Sequence, residues 1–205
     1  MSSMDKIYYF VDGSSLIADI KYLQRINPNL KNKKLSIVKF VNYFTGPIFQ
    51  SLMGDSYKRF TIYFVNNEQR INELFILPNI TKPWESIDVY IKYCGKRIMG
   101  SKSAYKWIEE NNPPKSVLDI LNKSEKAVDT QICCDALSLS CYNRLDRLFL
   151  YTNDFDYFPL CEEIKRNGSN ISLFRLTKKT INTDLVKECD SFSVVEPSNL
   201  EGLFI

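Results

Sequence analysis

Residues 147–168, RLFLYTNDFDYFPLCEEIKRNG, decide the fold. Leu148 to Tyr151 make a short apolar run that predicts a buried strand. An acidic turn carrying Asp154 and Asp156 follows. A helix over 158–166 comes next, with Pro159 near its first turn and Gly168 just past its last. In an open parallel α/β sheet, ligands sit at the carboxyl ends of the strands. Two carboxylates held close at such a point repel each other. Either they are exposed caps and turn formers, or a cation holds them together.

Reading outward, residues 6–11 (KIYYFV) predict a central strand that ends at Asp12-Gly13-Ser14-Ser15. Ser14 or Ser15 is expected to cap the next helix, on which Leu16, Ile17, Ile20 and Leu23 recur with helical spacing until Asn27-Pro28-Asn29 stops it. A second helix is expected over 36–44, then helix end and loop over 48–56, a strand over 59–65, and a helix over 68–77 before Pro78. Residues 86–93 alternate as a strand nearer an edge. Residues 95–103 read as a polar, basic substrate loop, and short helices are expected over 105–110 and around Val117, Leu118 and Leu121. Residues 126–129 open a helix with Ile132, Cys133, Ala136, Leu137 and Ser140 on one face and Asp129 capping its start. A strand over 170–174, a helix over 183–189 and an edge strand over 192–195 complete the chain. The alternation predicts one α/β domain over 1–205, with a mostly parallel central sheet of five or six strands and helices on both faces.

The composition excludes several chemistries. There is no histidine, so Ser-His-Asp and Cys-His machinery and a histidine base are unavailable. Gly13 stands alone, which gives neither a GxGxxG fingerprint nor a phosphate-cradling P-loop. The acids after the first strand lack the DxD pattern of aspartyl-phosphate phosphatases. Six cysteines without a CxxC read as reduced thiols in a cytoplasmic protein, and no run of 18 apolar residues predicts a membrane span. Net charge is only +3 but uneven: residues 21–39 hold six basic residues and no acid, and residues 92–126 hold eight basic residues against four acidic ones. Such blocks suit a polyanion gripped at a rim, or simply a solvated lysine surface.

Four carboxylates fall at corresponding places: Asp12 after the first strand, Asp129 at a helix start, and Asp154 and Asp156 after the fourth strand. If those two strands are neighbours at the switch point of a doubly wound sheet, the acids share one cleft. Hard divalent cations take oxygen ligands, and magnesium keeps several waters while bridging a few carboxylates to phosphates, so a hard divalent cation would relieve the repulsion, unless the four acids are plain caps and turn formers. Asp135 lies six residues past Asp129, about 240° round a helix, and is expected only as a peripheral ligand or water-orienting group. Ser14, Ser15, Thr152 and Asn153 stand ready to bond the carboxylates or a phosphate. Phe158 reads as core, whereas Tyr157 could stack on an unpaired base.

These motifs carry a resemblance. Tyr9-Phe-Val-Asp12-Gly-Ser-Ser15, Lys126-Ala-Val-Asp129 followed by Asp135, and Tyr151-Thr-Asn-Asp154-Phe-Asp156-Tyr-Phe158-Pro159-Leu160 together resemble the NYN domain family, a branch of the PIN-like nucleases. The resemblance implies a PIN-like α/β/α sandwich and a metal-dependent ribonuclease. It makes Asp12, Asp129, Asp154 and Asp156 ligands of Mg2+ or Mn2+, with Asp135 a weaker carry-over. RNA is then the expected partner, held by Lys96, Arg97, Lys102 and Lys126, with a homodimer or protein partner also allowed. The chain departs from the family where Ser14 or Ser15 replaces its usual asparagine and Asn153 replaces its glycine. Two other readings stay open: a catalytically weak module that binds RNA or a protein, and a small-nucleotide or phosphoester hydrolase with a narrow cleft.

Overall fold

The computed structural model describes residues 5–46, 56–66, 68, 70–77, 88–97, 102–112, 114, 125–178 and 182–205. The first strand, β1 (Asp5–Asp12), is the hinge of the architecture. Its residues alternate between two apolar cores, as a strand's two-residue period requires. Ile7, Tyr9 and Val11 enter one core, and Tyr8 and Phe10 enter the other. Both faces are buried, which is why the run reads as almost continuously hydrophobic.

Helices cover both faces of the sheet. On one face lie α1 (Gly13–Ile26) and α2 (Ile37–Thr45). Between them, β2 (Leu35–Ser36) makes a short parallel pair with β4 (Phe75–Ile76). The partner of β1 is β3 (Ser56–Val65), and a single turn, α3 (Ile71–Leu74), stands in place of the helix expected over 68–77. Phe75 leaves the turn in extended backbone, pairs with Leu35 and is buried in the first core, contacts that a continued helix would forgo. The outer strand β5 (Asp88–Cys94) pairs with β3. A ribbon of β6 (Lys96–Arg97) and β7 (Glu125–Lys126) joins residues on either side of α4 (Lys102–Asn111). The helix expected around Val117, Leu118 and Leu121 lies outside the described residues, as do most of the expected 48–56 loop and the centre of the 95–103 loop.

The opposite face is covered by α5 (Val128–Cys141) and α6 (Phe158–Arg166), which flank β8 (Arg147–Tyr151) in the chain. Gly168 ends α6 at φ 81°, a left-handed conformation that glycine adopts without strain. Then follow β9 (Asn170–Arg175), α7 (Thr183–Glu188), the edge strand β10 (Ser191–Val194) and a terminal turn, α8 (Pro197–Leu200). The sheet runs β10-β9-β8-β1-β3-β5, parallel throughout. From β1 the chain first winds out through β3 and β5, then returns to the other side of β1 and winds out through β8, β9 and β10. The switch point therefore lies between β1 and β8. At its centre Tyr9 stacks between its register partners Phe60 and Phe149, at 5.3 and 4.7 Å.

Candidate active site

At the carboxyl end of β1, Asp12 is itself the cap of α1. Its Oδ1 accepts from the amides of Ser14 (2.9 Å) and Ser15 (3.4 Å), so the expected capping by Ser14 or Ser15 is corrected: a carboxylate one step earlier already satisfies those donors. Asp12 Oδ2 accepts from Ser15 Oγ at 2.6 Å and from Thr152 Oγ1 at 3.4 Å. Gly13 is required by close approach: a Cβ there would meet the Tyr63 carbonyl oxygen and Phe64 Cδ1, both at 2.4 Å.

The end of β8 is tied to this turn. The Asn153 amide donates to Ser15 Oγ (3.3 Å), and the Asp154 amide donates to Thr152 Oγ1 (3.1 Å). Asp154 in turn caps a tight helical turn over Phe155–Tyr157, its Oδ1 accepting from the Asp156 amide at 3.0 Å. The Asn153 side chain accepts from the Asn182 amide and links the turn to the start of α7. Ser15, Thr152 and Asn153 thus serve as struts between neighbouring strand ends. Asp154 and Asp156 are exposed, and Asp12 is only 4% exposed.

Asp129 comes from the first turn of α5. It was expected to cap that helix, but the cap position is Ala127, at φ 74° with no side-chain bond, and the Asp129 carboxylate turns away to accept from Tyr157 Oη at 2.7 Å. Tyr157 is completely buried, so the stacking surface expected of it is absent; Phe155, 46% exposed, lies outside it against Phe158. Burial, followed by the charges of Asp12 and Asp129, holds the Tyr157 hydroxyl far above its ordinary range, so it stays a neutral donor. Burial also pushes the Asp129 carboxyl up; the Tyr157 bond pulls it down, while the charges of Asp154 and Asp156 push it up further. All four acids therefore bear on one tyrosine or on one another across the switch point.

Asp135 stands elsewhere. Its Oδ2 accepts from Lys92 Nζ (2.6 Å) and Tyr63 Oη (2.9 Å), and its Oδ1 from Gln131 (2.8 Å). The turn of α5 that carries Asp129 toward Tyr157 carries Asp135 toward β3 and β5. Lys96 sits opposite Lys126 in the β6–β7 ribbon, which leads directly into α5, and Lys102 begins α4; the side chains of Lys96, Arg97, Lys102 and Lys126 lie outside the described residues.

Behind the acids lies a pair that the sequence motifs do not mark. Asp19 on α1 and Arg175 at the end of β9 are 0% and 1% exposed. They form a two-pronged ion pair at 2.9 and 2.6 Å. Tyr151 Oη donates to Asp19 at 2.5 Å, and Arg175 Nη1 donates to the Thr152 carbonyl at 2.8 Å. This pair braces the backbone of the residue whose hydroxyl bridges Asp12 and Asp154. A signal for it exists: Asp19 falls on the same helical stripe as Leu16, Ile20 and Leu23, where an acid needs a buried partner.

The donor set suits a hard cation. It consists of carboxylate oxygens, and among the described residues no lysine or arginine pairs with Asp129, Asp154 or Asp156. Among the described residues no three acidic or thiol groups are already gathered to hold an ion. Magnesium ordinarily takes one or two carboxylates directly and keeps several waters, a demand that paired acids meet.

A parallel α/β/α sandwich with an acidic cleft at its switch point defines the class. The model of one family, the NYN domain, matches residues 6–196, and the chain belongs to that family. NYN domains are generally ribonucleases, which makes this chain a nuclease-like module. A crystal structure of a protein of unknown function from Vibrio parahaemolyticus shares the fold, with a TM-score of 0.54 at 14% identity, over 96% of this chain and 97% of the other. Comparison with curated proteins gave no match. Among the described residues no helix is long and apolar enough to cross a membrane.

Proposed function

We propose that the chain is a divalent-metal-dependent ribonuclease that hydrolyses phosphodiester bonds in single-stranded or loop RNA. The observation that carries this reading is the arrangement of Asp12, Asp129, Asp154 and Asp156 about the β1–β8 switch point, with Asp129 raised by burial and by its acidic neighbours. Asp12, Asp129, Asp154 and Asp156 would hold Mg2+ or Mn2+, with Asp12 also fixing the turn beneath them. When bound, such an ion lowers the pKa of a water and stabilises charge on a departing oxygen. The chain's own part is positional. Tyr157 orients Asp129 through its hydroxyl, Thr152 and Ser15 hold the two acidic turns in register, and the Asp19–Arg175 pair fixes the Thr152 carbonyl. The basic β6–β7 ribbon supports RNA as the substrate, because backbone phosphates are gripped by lysine and arginine.

A second reading, a weak module that holds RNA or a protein without cutting it, draws on the absence of three gathered acids among the described residues. One experiment separates the two. RNA and DNA oligonucleotides are incubated with manganese, magnesium or chelator, using the unaltered chain and Asp154→Ala. The nuclease reading expects RNA cleavage that needs metal and is lost in the folded variant. Metal-independent cleavage, or none from either chain, sinks it.

A further inference from the structure

A cavity opens on the same face of the sheet as the four acids, on the far side of α5. It measures about 420 Å³ and is walled by β1, β3, β5 and α5. Its outer wall is a stacked pair: the Arg59 guanidinium lies 4.8 Å over the Tyr90 ring, which is 48% exposed. Its inner end is polar. Lys92 and Asp135 form an ion pair there at 2.6 Å, Tyr63 donates to the same carboxylate oxygen, and Ser138 adds a hydroxyl. Burial and the Asp135 charge keep the Tyr63 hydroxyl protonated.

Planar walls beside donors and an acceptor are what an unpaired nucleobase recognises: stacking on tyrosine and arginine planes, then hydrogen bonding at its edge. The volume falls in the range of small-ligand pockets. Its position matters equally. Asp12 is in register with Tyr63, and Tyr63 with Lys92, so Lys92 at the polar end lies two strand spacings, about 10 Å, from Asp12. Helix α5 divides the two sites, presenting Asp129 to one and Asp135 to the other.

We infer that this cavity is a subsite for one unpaired nucleotide of the RNA strand, stacked on Tyr90 and Arg59 and read at its edge by Lys92, Asp135 and Ser138. The inference rests on the nuclease reading for its substrate, but its test does not depend on cleavage. Binding of a fluorescent single-stranded RNA is measured by anisotropy in chelator, for the unaltered chain, Tyr90→Ala, Arg59→Lys and Asp154→Ala. Mn2+ affinity is measured in parallel without RNA.

Loss of one stacked base should weaken RNA binding roughly 5- to 150-fold in Tyr90→Ala. Arg59→Lys should lose most of the same amount although it keeps the charge, because lysine has no plane. Both variants should bind Mn2+ as the unaltered chain does, and Asp154→Ala should show the reverse pattern. Unchanged RNA affinity in Tyr90→Ala, or full retention in Arg59→Lys, overturns the subsite even where metal-dependent cleavage is intact. Conversely, a chain that never cleaves but shows both losses removes the nuclease reading and keeps the subsite. Titration with a free mononucleotide separates the sources: tight binding lost in Tyr90→Ala, with RNA binding unaffected, assigns the cavity to free nucleotides and overturns the strand assignment.

Discussion

Removing one member of the Asp19–Arg175 pair should be the most damaging single change to the fold. In Arg175→Met the methionine fills much of the arginine's space but leaves the Asp19 carboxylate in a site with no exposure. Breaking a buried ion pair from one side typically costs about 3–5 kcal/mol, because the surviving charge is left uncompensated. Here Tyr151 remains as a donor to Asp19, which places the expected loss toward the lower end, while the Thr152 carbonyl loses its 2.8 Å donor, which raises it. A net loss of about 3–5 kcal/mol is expected, and for a chain of this size each kcal/mol lowers Tm by roughly 2–4 °C. The double variant Asp19→Leu with Arg175→Met has no orphaned charge. Tyr151 Oη and the Thr152 carbonyl each lose a partner, so it should lose about 1–3 kcal/mol and be more stable than Arg175→Met alone. Urea unfolding followed by circular dichroism and tyrosine fluorescence measures all the variants with a common m-value. A loss below about 1 kcal/mol in Arg175→Met, or a double variant as unstable as the sum of the singles, refutes the account of a charge-dependent brace.

Gly13→Ala should destabilise by about 1–3 kcal/mol in the same unfolding assay, since its Cβ would press on the Tyr63 carbonyl and the Phe64 ring, both at 2.4 Å. Asp129 has a folded pKa raised above its usual 3.8, so its contribution to stability is fully present below that value and is lost as pH rises through the folded pKa. Without metal, Asp129→Asn should therefore flatten the fall of Tm with pH above about 4 and raise Tm at neutral pH. The same variant should lose Mn2+ binding, and in the unaltered chain Mn2+ affinity should rise with pH across that window, as calorimetry would show.

Much of this fold was legible because the sequence carries its own punctuation. Pro159 and Gly168 bracket α6 at the positions the pattern predicts, and the apolar runs over 6–11, 59–65 and 147–151 became the three central strands. What failed was local capping and one helix. Ser14 and Asp129 looked like caps because serine and aspartate commonly are, but Asp12, two residues earlier, takes the first role, and the Asp129 carboxylate serves Tyr157, 28 residues away. The helix over 68–77 was lost to Phe75, which the first core captured as an extended residue. No local pattern reports such competition between propensity and burial.

The spacing of Asp129 and Asp135 carried more than a list of acids could use. Six residues on a helix give about 240° of rotation and about 9 Å of rise, which prevents both from facing one ion. The fold turns that conflict into a division of labour. Helix α5 packs over the side of β1 that carries Phe10 and Asp12, so its two flanks look toward β8 on one side and toward β3 and β5 on the other. On the β8 flank Asp129 is partly buried beside a neutral tyrosine and two further acids, and its carboxyl is pushed up. On the β3 flank Asp135 meets Lys92, and its charge is cancelled. One helix thus sets an acidic group beside a nearly neutral, aromatic-walled cavity, the two environments that the proposed phosphodiester site and base subsite would use. Because the two are walls of the same rigid element, a strand that engages one is held at a fixed distance from the other.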